Sequence, residues 1–157
     1  MDKAHFIFLH ESEENKPIVI NSVYTIYAII EDEHTKVVQY DHYENMVFDS
    51  DIYVNETPEK IFTLVDQEDF VLLHCAEDNT VILVRCGAII SLIPSDEGTT
   101  MTLVGGESFD VNETPMSIRE ISISGKQVKA IRPSQKVAAK KASTKKPTYK
   151  EAINEKK

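Results

Sequence analysis

The chain has 157 residues, 41% of them hydrophobic and 27% charged, which suits one ordinary globular domain or two small ones. With two cysteines and no apolar run near the ~20 residues that span a bilayer, neither a disulfide scaffold nor a membrane-crossing helix is expected. The formal net charge of −9 hides a split: residues 124–157 carry ten Lys and one Arg against Glu151 and Glu155, net +9, while residues 1–123 carry six basic and 24 acidic side chains, net −18.

Taken in chain order, Met1-Asp2-Lys3-Ala4-His5 runs straight into Phe6-Ile7-Phe8-Leu9 without a basic leader, long apolar core and cleavage site. That start predicts no signal peptide and a place in the cytoplasm, or in a virion assembled there. Phe6-Ile7-Phe8-Leu9-His10 and Ile18-Val19-Ile20 read as strands around a polar turn at Glu14-Asn15, and Thr25-Ile26-Tyr27-Ala28-Ile29 as a third strand. Tyr40–Asp51 reads as a long acidic connection. At Val54-Asn55-Glu56-Thr57-Pro58 a strand gives way to a helix: Thr57 caps it and Pro58 takes the first position, where a missing N–H costs nothing. Ile61, Phe62, Leu64 and Val65 then face a sheet.

The same order is written again from Phe70. Phe70-Val71-Leu72-Leu73-His74, Ile82-Leu83-Val84 and Ile89-Ile90-Ser91-Leu92-Ile93 match the first three blocks at an offset of 64, around a second turn at Asp78-Asn79. Val111-Asn112-Glu113-Thr114-Pro115 repeats the helix entry letter for letter at an offset of 57, so one repeat has gained or lost about seven residues near Tyr40–Asp51. Gly105-Gly106 marks a two-residue hairpin turn, whose central residues both want positive φ. Ile118 and Ile121 are the sheet-facing residues of the second helix. A turn centred on Asp78-Asn79 would set Cys75 opposite Ile82 and Cys86 opposite Val71, more than ~10 Å apart and out of disulfide range, so both read as reduced apolar fillers.

Together these elements predict a mostly β chain with short helices (α+β). Two similar small antiparallel units, 1–67 and 68–123, each end in a short helix, and a disordered basic tail occupies 124–157. The tail is rich in Lys, Ala, Ser and Thr and too poor in large apolar residues to offset its ordering entropy. Thr148-Tyr149-Lys150-Glu151 is a capping-box pattern, which predicts a short docking helix over 148–156 with Tyr149 and Ile153 on one side. Lys136, Lys140, Lys141, Lys145 and Lys146 are the basic docking residues that accompany them.

Each repeat resembles the small FlbD-type proteins known from flagellar gene clusters. The residues that carry the resemblance are Phe8-Leu9-His10, Ile18-Val19-Ile20-Asn21, Val54-Asn55-Glu56-Thr57 and Ile61, then Leu72-Leu73-His74, Thr100-Met101-Thr102-Leu103 and Val111-Asn112-Glu113-Thr114. The sequence departs from that pattern in three ways. Arg85 stands where the pattern and the first repeat have Asn, the hairpin glycine is missing from the first repeat, and the single-unit family has neither duplication nor Lys-rich tail. These departures argue against a flagellar motor role and fit a module reused by a bacteriophage or mobile element. The resemblance brings no catalytic residues with it.

Catalytic constellations are missing from the sequence. Ser124-Gly125-Lys126 lacks the preceding glycine and spacer of a phosphate loop, and no Gly-x-Ser-x-Gly, His-Glu-x-x-His or zinc-spaced Cys pair occurs. His10 and His74 occupy the same place in the two repeats; if their rings met they could hold a metal, but a strand-end histidine hydrogen-bonded to a turn is the plainer reading. His34 and His42, with Asp32, Asp41 and Asp49, are read as solvated loop charge rather than a divalent-ion site. The expectation is a non-enzymatic structural or interaction protein with no cofactor, metal, membrane or small-molecule substrate. Its partner would be a protein, such as a capsid or a second copy, and the concrete form is an auxiliary or minor virion component. The alternatives are a regulatory or nucleic-acid-associated factor anchored by its tail, and a flagellar-type accessory protein.

Overall fold

A computed structural model of the chain describes residues 4–43 and 46–124, with the backbone alone described at 41–43, 46–49 and 124. The fold is mostly β with two short helices, and every strand pairing is antiparallel. The order is β1 (Phe6–His10), β2 (Pro17–Asn21), a 3-10 turn (Ser22–Tyr24), β3 (Thr25–Glu31), β4 (His34–Tyr43), β5 (Met46–Val54) and α1 (Pro58–Leu64). After a 3-10 turn at Gln67–Asp69 the same order recurs: β6 (Phe70–His74), β7 (Val81–Arg85), a 3-10 turn (Cys86–Ala88), β8 (Ile89–Ser95), β9 (Gly98–Leu103), β10 (Ser108–Val111) and α2 (Pro115–Ser124).

These strands form three sheets, β1-β2, β5-β4-β3-β7-β6 and β10-β9-β8. The central sheet crosses the sequence repeat: β3 pairs with β7 through Tyr27↔Val84, Ala28↔Leu83 and Ile29↔Ile82. The β6–β7 hairpin therefore has two faces to bury. Val71, Leu73, Ile82 and Val84 join Met101, Leu103, Val111, Ile118 and Ile121 in one cluster, together with Ile26 and Tyr27 of β3. Phe70 and Leu83 join Ile7, Leu9, Ile20, Ala28, Val54, Ile61 and Val65 in the other. β7, buried on both faces, reads as a continuous aliphatic run, whereas β1 alternates exposed and buried positions.

Local chemistry explains the turns and helix ends. Asn15 (φ 58°) and Asn79 (φ 66°) hold the left-handed positions of the two strand-1-to-strand-2 turns, a conformation Asn tolerates better than most residues. Gly105 and Gly106, both at φ 98°, lie in the β9–β10 turn, which is one residue longer than the predicted two-residue hairpin: the Leu103 N–H donates to the Glu107 carbonyl at 2.8 Å and the Gly106 N–H to the Leu103 carbonyl at 3.0 Å, leaving Val104, Gly105 and Gly106 in the loop. Thr57 Oγ1 accepts from the Lys60 N–H at 3.1 Å and Thr114 Oγ1 from the Ser117 N–H at 3.2 Å, so both caps form where expected.

Two expectations need correction. The β6–β7 register runs Phe70↔Arg85, Val71↔Val84 and His74↔Val81, so Cys75 lies opposite Thr80 rather than Ile82, and Cys86 is not opposite Val71. The turn tightens because the Asn79 N–H donates to the Cys75 carbonyl at 2.8 Å, with Asn79 itself left-handed. Both cysteines are free, and burial pushes the Cys75 thiol up to about 11, helped by Asp78, Glu113 and Glu77. Secondly, Tyr40–Asp51 is largely ladder rather than connection: β4 and β5 stay in register from Thr35↔Val54 to Tyr43↔Met46. The extra residues lengthen a hairpin, because ladder hydrogen bonds satisfy backbone groups that a loop of that length would leave to water.

Candidate interaction surfaces

The five letters repeated at the helix entries each have one structural task. Val54 and Val111 are buried in the two clusters. The Asn55 side chain donates to Asn15 Oδ1 at 2.7 Å and the Asn112 side chain to Asn79 Oδ1 at 2.8 Å, fixing the left-handed turn residues. Glu56 takes the His10 backbone N–H at 2.9 Å on one oxygen and His10 Nδ1 at 2.6 Å on the other. Glu113 does the same to His74, at 3.0 Å and 2.7 Å. Thr caps the helix and Pro opens it.

A carboxylate can only accept, so each histidine presents Nδ1 as a donor. The carboxylate thus joins the end of the first strand to the start of the helix that closes the repeat. For Glu56, burial opposes the charged form, but the side-chain and backbone hydrogen bonds from His10 outweigh it and hold its pKa below 4.5. His10 is half exposed, whereas His74 and Glu113 are both largely covered. Each ring engages the glutamate of its own repeat through Nδ1. His34 opens β4 and His42 lies eight residues along it, about 26 Å away at strand rise, so they form no common centre. Among the described residues no group of three or more His, Cys, Asp or Glu is arranged to hold a metal.

Among the described residues, three of the body's cations sit beside carboxylates. Lys16 lies 2.7 Å from Glu14, Lys36 3.4 Å from Glu31, and Arg119 3.9 Å from Glu120. Tyr53 donates to Glu31 at 2.9 Å, and that bond together with Lys36 lowers the Glu31 pKa. Arg85 is a residue whose role sequence reasoning missed. Its Nε donates to the Thr25 carbonyl at 2.8 Å, joining the second repeat's hairpin to the start of β3. In the first repeat Asn21 instead caps the 3-10 turn, accepting from the Val23 N–H at 3.3 Å. Gly87 makes the exchange workable: a Cβ there would sit 2.7 Å from Arg85 Nη1, and the first repeat has Val23 at that place. The available signal was the paired change from Asn-x-Val to Arg-x-Gly.

The predicted docking residues Lys136, Lys140, Lys141, Lys145, Lys146, Tyr149 and Ile153, with the helix over 148–156, lie outside the described residues. What the body does present is apolar: Phe6, Phe8, Val19 and Tyr24 around the first hairpin, and Ile90, Ile93, Met116 and Ile123 around β8 and α2 are all exposed. No helix among the described residues is long and apolar enough to cross a membrane.

These features define a mostly β, hairpin-built fold whose paired titratable side chains tie its elements together. No protein-family model and no curated protein matches the chain. Among solved structures, the fold is similar to the LytTr DNA-binding domain of a Bacillus cereus protein described as a methyl-accepting/DNA response regulator. The likeness has a TM-score of 0.52 and 14% identity, over 76% of this chain and 97% of that one.

Proposed function

We propose that the chain is a non-catalytic, nucleic-acid-associated regulatory factor that holds the polymer through its basic tail. The charge split carries this reading: a segment of net +9 is joined to a body of net −18, so phosphate affinity resides in the tail. The fold supports it, since the B. cereus neighbour is a DNA-binding domain. The body supports the division of labour, because three of its Lys and Arg side chains sit beside carboxylates and Arg85 is spent on a backbone carbonyl. The order of elements, which runs twice through hairpin, 3-10 turn, three strands and helix, supports reading the chain as two like units of the FlbD type.

The test is fluorescence anisotropy on duplex DNA across a salt series, with the full chain and a 1–124 truncation. Sequence-independent binding that weakens steeply with salt and disappears on truncation is expected. Retention of full affinity by 1–124, or absence of binding at low salt, overturns the reading. A second reading, an auxiliary virion or other structural component, is favoured by the acidic body, on which the tail of a neighbouring copy can dock. It predicts assemblies of the full chain that high salt dissolves and that residues 1–124 alone do not form.

A further inference from the structure

Two sets of apolar side chains are exposed in one repeat and buried at the matching positions of the other. On the outer face of the β1–β2 hairpin, Phe6 is 62% and Val19 52% exposed, with Phe8 between them equally open. Their counterparts 64 residues on are Phe70 at 3%, Leu83 at 0% and the half-buried Leu72, covered because β6–β7 lies along β3 and against α1. The converse holds on the receiving strand. Ile26 of β3 is 1% exposed and Ile29 packs beside it, whereas their counterparts on β8, Ile90 and Ile93, are 63% and 56% exposed.

Hydrogen bonding shows the same division. Among the described residues β3 is paired on both sides, with β4 and β7, while β8 is paired with β9 alone and β2 with β1 alone. Between β8 and α2 a groove of about 410 Å³ stands open, lined by Cys86, Ile89, Leu92, Met116, Ile118 and Ser122. In the first repeat the corresponding strand and helix receive the β6–β7 hairpin. The described residues therefore hold one made junction between a hairpin and a strand–helix seat, plus one hairpin and one seat that no other described element covers.

We propose that a second copy of this chain occupies that seat: its β1–β2 hairpin lies on β8 and α2 of the first as β6–β7 lies on β3 and α1 within one chain. Carrying over the internal register, Ile20, Val19 and Ile18 of one copy pair antiparallel with Ser91, Leu92 and Ile93 of the other. Pro94, which has no N–H, falls one residue past this pairing, at the place where the β3–β7 ladder has already ended at Ile29. Strand addition supplies main-chain hydrogen bonds, and Phe6, Phe8 and Val19 supply the buried apolar anchors. The joined surfaces differ, so the contact is head-to-tail, and each added copy exposes a fresh hairpin and a fresh seat. Because both bodies are acidic, salt strengthens this association, whereas it dissolves one made by tail on body.

The experiment is sedimentation velocity of the full chain over a concentration series at low and high salt. It is repeated with Phe8→Glu, which spoils the hairpin, and Ile93→Lys, which spoils the seat. Both positions are exposed, so each variant keeps its fold, checked by its thermal melt. The wild type is expected to show an open-ended series of masses favoured by salt. Each variant alone is expected to stay monomeric, its self-association weakened roughly 30-fold or more. The decisive sample is the mixture: Phe8→Glu keeps a seat and Ile93→Lys keeps a hairpin, so together they form one-to-one dimers and nothing larger. A wild type that is monomeric at every concentration overturns the proposal, as do variants that associate like the wild type or a mixture that gives no dimer.

Discussion

The β1–β2 and β6–β7 hairpins are written in nearly the same pattern and fold to the same register, yet one is half exposed and the other buried on both faces. Phe6, Phe8 and Val19 face outward where Phe70, Leu72 and Leu83 are covered. The difference lies in the neighbours each hairpin meets, because only β6–β7 has a seat supplied by the other repeat. The same pattern is thus covered or left open according to what packs against it.

The largest effect is expected from truncating matched positions of the two hairpins. Leu83→Ala removes a fully buried side chain from the cluster that holds Leu9, Val54 and Ile61 and should cost about 2–5 kcal/mol, whereas Val19→Ala should stay within about 0.5 kcal/mol in dilute monomer. Urea unfolding of the two variants measures this directly, and equal losses would break the comparison.

Next come the two histidine–carboxylate pairs. Glu113→Gln, in the more covered pair, is expected to destabilise by about 1–3 kcal/mol, and Glu56→Gln by less. The Glu56 pair also has a defined pH dependence. Its folded pKa lies below 4.5, so its contribution is fully present above that value and is lost as pH falls through the lower, folded pKa. The stability gap between wild type and Glu56→Gln should therefore close on acidification below 4.5, and a gap that widens there would reverse the sign of the argument.

Matched turns should also respond unequally. Gly98, at φ 142°, has no room for a Cβ, which would lie 2.3 Å from the Val111 carbonyl oxygen, while the first repeat carries His34 at that place. Gly98→Ala should cost about 1–3 kcal/mol and His34→Ala under about 0.5 kcal/mol by thermal melting. The smallest contrast is expected at the helix caps. Thr57→Ala and Thr114→Ala should each cost about 1 kcal/mol, alike in both repeats because the cap is a local bond.

How far the sequence could be read depends on the range of the interactions. The strands of both hairpins, β3, β8, β9 and β10, both helix entries and the place of the Gly105-Gly106 turn were legible, because alternation, capping and positive φ act within a few residues. The β6–β7 register was misjudged by two residues, since the sequence names the turn residues without saying which carbonyl Asn79 will reach. The β4–β5 extension was hidden by acidic residues that read as loop, although the backbone there continues the ladder to Tyr43↔Met46. For the candidate surfaces, the repeated Asn-Glu was visible as a pattern and not as a function, because its partners Asn15, His10, Asn79 and His74 lie 33 to 46 residues away.

By itself, then, the sequence determined that this protein is a twice-written β pattern with capped short helices, an acidic body and a basic terminal segment. Only the tertiary structure decided that Tyr27–Ile29 would pair with Ile82–Val84, that Arg85 would reach across that junction, and that β6–β7 would be covered on both faces while β1–β2 keeps one face open among the described residues. The physical reason is that caps and turns are satisfied by neighbours in the chain. A strand edge can instead be satisfied by any strand of compatible register, and which one arrives depends on the fold as a whole.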